Sequence, residues 1–193
     1  MGGTSDTKAG FEAYAARLAA ALAAADLAGI GRLAHALRRA WAAGANVFLC
    51  GNGGSAGNAV HLANDFVYGI APEPGRGLRA HALPANVALV TCLANDTGYD
   101  NIFSGQLRVL GNAGDVLIAF SGSGNSPNIL RAIETAKAME IETFAVLGYS
   151  GGKAKSLADT AIHFAVDDMQ VAEDLQLTVG HMAMQWLRAN PLA

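Results

Sequence analysis

A chain of 193 residues is the size of one domain, and with 52% hydrophobic and only 15% charged residues it has the apolar content for a sizeable core and excludes a disordered polymer. A net charge of -3 at pH 7 excludes the basic footprint of a protein that binds nucleic acid or an anionic membrane. Two cysteines cannot build a disulfide framework; Cys50 and Cys92, at the ends of apolar runs, are expected to be buried free thiols in a reducing compartment.

The opening segment, MGGTSDTKAGFE, lacks the basic and apolar regions of a signal peptide, and Asp6 breaks the myristoylation pattern. No apolar stretch approaches the roughly 20 residues that span a bilayer, so a cytoplasmic location is expected. From about Gly10 to Ala43 the chain is rich in Ala, Leu and Arg at helical spacing. Two helices are predicted, broken near Asp26 to Gly31 and stopped by Gly44. Ala-rich helices pack closely, and a subunit interface is a natural use for them.

The pattern then changes to short apolar runs, each followed by a turn and an amphipathic segment. The runs are NVFLC (46–50), VALVT (87–91), DVLIAF (115–120), TFAVLG (143–148) and AIHFAV (161–166). Alternating strand and helix signals predict a five-stranded parallel sheet covered on both faces, an α/β fold. A last helix is expected from about Met169 to Leu187. With no repeat and no linker, residues 1–193 are one domain, with N-terminal helices at about 8–43 and an α/β core at about 45–193.

Two turns share one chemistry. GNGGS (51–55) follows the first strand, and SGSGNS (121–126) follows the third and leads to Pro127, a favoured first helical residue. Ligands of doubly wound sheets bind outside the carboxyl ends of the strands, so both loops can face one pocket. Glycines admit an anion to the backbone, helix N-termini offer free N–H groups, and Ser55, Ser121, Ser123 and Ser126 add hydroxyls. A phosphate can be held this way without lysine or arginine. Gly51, Gly53 and Ala56 also satisfy the dinucleotide fingerprint, but the acidic residue about 20 positions on is missing; a P-loop is excluded by spacing. The bland account, that these are tight turns only, suits one loop better than two matched ones.

His61 and Asp65 are four residues apart, about 40° around a helix, where imidazole and carboxylate can grip a divalent metal such as zinc. Alone, the pair is more often a surface contact. In VAEDLQLTVGHM, Glu173 and His181 are eight residues apart, on one broad face but roughly 12 Å apart along the axis. One metal joins them only if the side chains lean together or two subunits contribute. For Glu173 the bland alternative is a solvated helix charge. For His181, and for His35, His81 and His163, it is a core histidine.

Taken together, GNGGSxxxAxH, CLANDTGYDNIF, SGSGNS and a final helix carrying a histidine resemble the phosphoheptose isomerases, small members of the sugar isomerase (SIS) domain group, over nearly the whole chain. The resemblance implies a flavodoxin-like sheet behind an N-terminal helical hairpin, and a homotetramer with active sites at subunit interfaces. It also implies zinc-assisted conversion of sedoheptulose 7-phosphate to a D-glycero-D-manno-heptose 7-phosphate, a step of heptose biosynthesis, with one Zn2+ per subunit. Sugar-phosphate contacts then fall on Asn52, Gly53, Gly54 and Ser55, on Asn95 and Asp96, on Ser121, Gly122, Ser123 and Ser126, and on Glu173. Metal ligands fall on His61, Asp65, Glu173 and His181. Two of these differ from the family's usual residues, Glu at the place of Asp65 and Gln at that of Glu173. The implied chemistry passes through an enediol, with Asp65 as base and His181 as acid. Two other classes fit the same sequence: a non-catalytic relative that binds a replication initiator, and a sugar-phosphate sensor.

Overall fold

The computed structural model describes residues 3–71, 73 and 75–192. Five strands form one parallel sheet: β1 (Asn46–Cys50), β2 (Arg79–Ala82), β3 (Val116–Ser121), β4 (Glu142–Leu147) and β5 (Thr160–His163). Their spatial order is β2-β1-β3-β4-β5, the flavodoxin-like order, with the topological switch between β1 and β3. Successive side chains alternate between faces. Val47 and Leu49 of β1, with Val116, Ile118 and Phe120 of β3, enter one apolar core; Phe48, Cys50, Leu117 and Ala119 enter the other. Burial on both faces is why these strands read as unbroken apolar runs.

Helices cover both faces. α1 (Gly3–Ala23) and α2 (Leu27–Ala43) form the expected hairpin-like pair, with a 73° bend between them. Asp26 makes the break by accepting a bond from Gly29 N at 2.9 Å, and Gly44 ends α2 in the left-handed conformation at φ 66°. α3 (Gly54–Asn64) follows β1, and α8 (Met169–Ala189) closes the chain on the same side as α2. The opposite face carries α4 (Val87–Thr97), α5 (Ser104–Leu110), α6 (Pro127–Ala138) and the short α7 (Ala154–Leu157). Tyr14 Oη donates to Asp174 Oδ2 at 2.5 Å and Arg17 pairs with Asp168 at 3.1 Å, fastening α1 to α8.

The second strand was expected at Val87–Thr91, and that expectation is wrong: these residues open α4. Asn86 caps the helix, its Oδ1 accepting from Leu89 N at 3.1 Å, and Val90, Leu93 and Ala94 lean on the core at helical spacing. The true second strand, RAHA, is an edge strand with Arg79 and His81 exposed, so it carries no apolar run. Cys92, expected to be buried, is exposed on α4, whereas Cys50 is buried and its thiol is pushed up to about 12 by desolvation; both are free. His35 and His81 are exposed and His163 is half-buried, none of them a core histidine. No single helix among the described residues is long and apolar enough to cross a membrane.

Candidate active site

The glycine-serine loops leave the carboxyl ends of β1 and β3, the two strands at the switch point. Between them lies a cavity of about 240 Å3 lined by Asn52, Gly53, Gly54 and Ser55 from the first loop, Ser121, Gly122, Ser123 and Ser126 from the second, and Glu173 of α8. No lysine or arginine lines it. Gly53 sits at φ 55°, and α3 begins there without a side-chain cap, which leaves its first N–H groups for a ligand. α6 likewise starts uncapped at Ser126. Ser121 Oγ accepts from Gly124 N at 3.0 Å and Ser123 Oγ from Asn125 N at 3.3 Å, so the hydroxyls also shape their own loop. A larger open groove, about 840 Å3, lies beside Trp41, Arg79 and Arg188. It is at the amino ends of β1 and β2, remote from the loops.

α3 and α8 lie side by side and run in the same direction. At their start, Gly54 faces Glu173 so closely that a methyl group there would collide with the carboxylate. Midway, Asn58 Nδ2 donates to Glu173 O at 2.9 Å and Gln176 Oε1 at 3.0 Å. At the far end Gly180 makes room for Leu62. This register brings His61 and His181 together, with Nε2 to Nε2 at 3.0 Å. Asp65 begins a π-helical turn (Asp65–Gly69), a widening of the helix recurrent at functional sites. Its Oδ2 stands 3.4 Å from His181 Nε2 and 3.6 Å from His61 Nε2.

Three ligand atoms at 3.0, 3.4 and 3.6 Å from one another describe one face of a small polyhedron. Zinc ligands at about 2.0–2.1 Å in a tetrahedron are separated by about 3.3–3.4 Å, so the donor set and its spacing fit a divalent metal. Among the described residues this is the group of three or more such side chains that can hold an ion. Glu173 stands outside it, at the loop cavity two helical turns away. Asn95 and Asp96 are exposed on α4, paired with each other at 2.8 Å, and do not line that cavity. Asn128 and Tyr99, which the sequence reading passed over, reach into the loop system through Asn52.

Comparison with known proteins decides the family. Residues 10–148 match the SIS domain model. The chain is 40% identical over 172 residues to the phosphoheptose isomerase of Burkholderia pseudomallei (strain K96243), covering 88% of this chain and 87% of that one. The chain belongs to the phosphoheptose isomerase family. The Helicobacter pylori (strain ATCC 700392 / 26695) phosphoheptose isomerase is 39% identical over 136 residues, 70% of each chain. Among solved structures, the phosphoheptose isomerase of Neisseria gonorrhoeae superposes with a TM-score of 0.88 at 26% identity over 96% of this chain and 98% of that one. The Francisella tularensis phosphoheptose isomerase gives 0.89 at 27% identity over 98% and 100%. As a member of the phosphoheptose isomerase family, the chain is a sugar-phosphate isomerase.

Proposed function

We propose that the protein converts sedoheptulose 7-phosphate to D-glycero-D-manno-heptose 7-phosphate through an enediol. The observation that carries this reading is the placement of Asp65 and two histidines on the α3–α8 pair whose other end borders the cavity lined by the glycine-serine loops. The 7-phosphate is held by the loop N–H groups and hydroxyls, and Glu173 accepts hydrogen bonds from the sugar. Anchoring the phosphate fixes C1 and C2 near Asp65. Asp65 takes the proton from C1 and returns it to C2, while His181, through its other ring nitrogen Nδ1, gives a proton to the developing oxyanion at C2 and recovers one from the C1 hydroxyl, the paired acid and base that aldose–ketose isomerisation requires. His61, Asp65 and His181 would hold a divalent metal, zinc, one per subunit. Such an ion, when bound, supplies positive charge against the carbonyl oxygen.

The working unit is proposed to be a homotetramer with active sites between subunits. Support comes from α4, which has no buried residue although it is largely apolar, and from the exposed Val87, Val109 and Phe11 at 68%, 82% and 71%. Asn95 and Asp96 lie on that helix and would reach substrate from such an interface. A cytoplasmic setting accords with two free cysteines.

The test is incubation of the purified protein with sedoheptulose 7-phosphate, followed by NMR. Appearance of the aldose 7-phosphate is expected. No new anomeric resonance, in protein loaded with zinc, would refute the substrate.

A further inference from the structure

Asn52 and Asn128 face each other across the two anion loops. Asn52 Nδ2 donates to Asn128 Oδ1 at 2.9 Å, and Asn128 Nδ2 donates back to Asn52 Oδ1 at 2.7 Å. Tyr99 Oη donates to the same Asn52 oxygen at 3.1 Å. Asn52 belongs to the loop behind β1, Asn128 is the second residue of α6 behind β3, and Tyr99 follows α4. Three segments far apart in sequence thus meet on one amide.

An amide has one oxygen with two lone pairs and two N–H donors. The Asn52 oxygen accepts two bonds and is full, and one of its N–H donors is spent on Asn128. Its side chain is therefore largely committed to the protein. Asn128 is 1% exposed, does not line the cavity and makes no capping bond to its own helix. A buried amide of this kind keeps its place only while its partners are satisfied.

We infer that Asn128 is a positioning residue. Through its reciprocal pair with Asn52, braced by Tyr99, it holds the Gly51–Ser55 and Ser121–Ser126 loops at the separation one phosphate needs. The physical reason lies in the absence of a cationic side chain from the pocket lining. A lysine attracts phosphate over a range of positions, whereas N–H and O–H donors work only within narrow limits of distance and angle. A pocket built from such donors depends on whatever fixes its two walls. The inference rests on the proposed phosphate site.

The test is a double-mutant cycle over Asn52→Ala and Asn128→Ala, read by calorimetry with inorganic phosphate, by KM for the sugar phosphate, and by zinc affinity. Each single variant is expected to weaken phosphate binding and raise KM by about tenfold, with the double variant no worse than the poorer single. Zinc affinity is expected to stay at the wild-type value, which a general loss of structure would not allow. Wild-type phosphate affinity in folded Asn128→Ala, additive losses, or a parallel loss of zinc affinity would overturn the inference. Should Asn128→Ala not fold, the cycle over Asn52→Ala and Tyr99→Phe decides. Removing the exposed hydroxyl is expected to cost about threefold with Asn52 present and nothing without it, and independent losses refute the clasp. A wild-type protein that binds phosphate but leaves sedoheptulose 7-phosphate unchanged removes the substrate proposal alone, and the cycle still decides the clasp. One that binds no phosphate removes both.

Discussion

Gly180 is where a single methyl group tests the link between helix packing and the metal-competent cluster. A Cβ there would stand 2.9 Å from Leu62 Cγ and closer still to both methyls, against the roughly 3.5–4.0 Å of ordinary carbon contact. Leu62 is fully buried, so it cannot swing away, and α3 and α8 must part by about 1 Å. Overpacking of this kind costs about 1–3 kcal/mol, offset by about 1 kcal/mol of improved helix propensity, for a net loss of about 0–2 kcal/mol. The larger effect falls on the cluster, because His61 and Asp65 ride on α3 while His181 rides on α8. Ligand spacing tolerates only tenths of an ångström, so zinc affinity of Gly180→Ala should fall roughly 10- to 100-fold. Competition with a chromophoric chelator measures it, and thermal melting follows the fold. Leu62→Ala added to Gly180→Ala makes room and should recover much of the zinc affinity despite a lower melting temperature. Wild-type zinc affinity in Gly180→Ala would refute the claim that this contact sets the spacing.

Three further outcomes are expected. Asp65→Asn should lower turnover by about 10²–10⁴-fold in steady-state assays while calorimetry finds phosphate binding intact, because an amide cannot accept the proton; Asp65→Glu, which restores the family's usual residue, should remain active. Ser123→Asp places a fixed negative charge in the loop cavity and should abolish phosphate binding by a protein whose circular dichroism is unchanged. The bond to Asp174, with desolvation and the nearby carboxylates, holds the Tyr14 phenol up to about 12, so the folded state favours its protonated form. That contribution is complete below the unfolded value near 10 and is lost as pH rises through 12. The melting-temperature gap between wild type and Tyr14→Phe should therefore be constant at neutral pH and close across that alkaline window.

Four of the five strands were legible in the sequence: β1, β3 and β4 because burial on both faces leaves a short apolar run bounded by turns, and the edge strand β5 because Ala161, Ile162 and Phe164 pack on the cores. The fifth was misplaced for a physical reason. β2 alternates Ala80 and Ala82, packed on the core, with Arg79 and His81 offered to solvent, so no apolar run marks it. VALVT attracted the assignment through β-branched residues, yet Asn86 stands directly before it as a helix cap, and Val90 and Leu93 have helical spacing. Weighing the cap above the propensity would have reversed the reading. The exposed Cys92 follows from the same error, since a cysteine within a buried strand becomes a surface residue on a helix.

Glu173 marks the limit of reading one helix at a time. Within α8, Glu173 and His181 share a broad face about 12 Å apart, and nothing in that spacing says whether they converge. The answer lies in α3, which runs parallel to α8 and meets it at both ends, at Gly54 beside Glu173 and at His61 beside His181, with Asn58 bonded to α8 between them. Small residues at both contacts, Gly54 and Gly180, permit the approach, and they read as tight-turn or helix glycines until the partner helix is known. On the proposed reading this geometry also selects the substrate. Glu173, at the loops, and His181, at the cluster, are about two helical turns or roughly 12 Å apart, and a seven-carbon open chain with its terminal phosphate, about eight bonds from C1 to phosphorus at roughly 1.25 Å of advance each, reaches roughly 10 Å. Glu173 lies along that path, where a carboxylate repels a phosphate but accepts bonds from the hydroxyls of the sugar between the two ends. On that reading the charge of Glu173 serves the sugar hydroxyls, and a phosphate displaced toward α8 would meet repulsion that returns it to the serine loop.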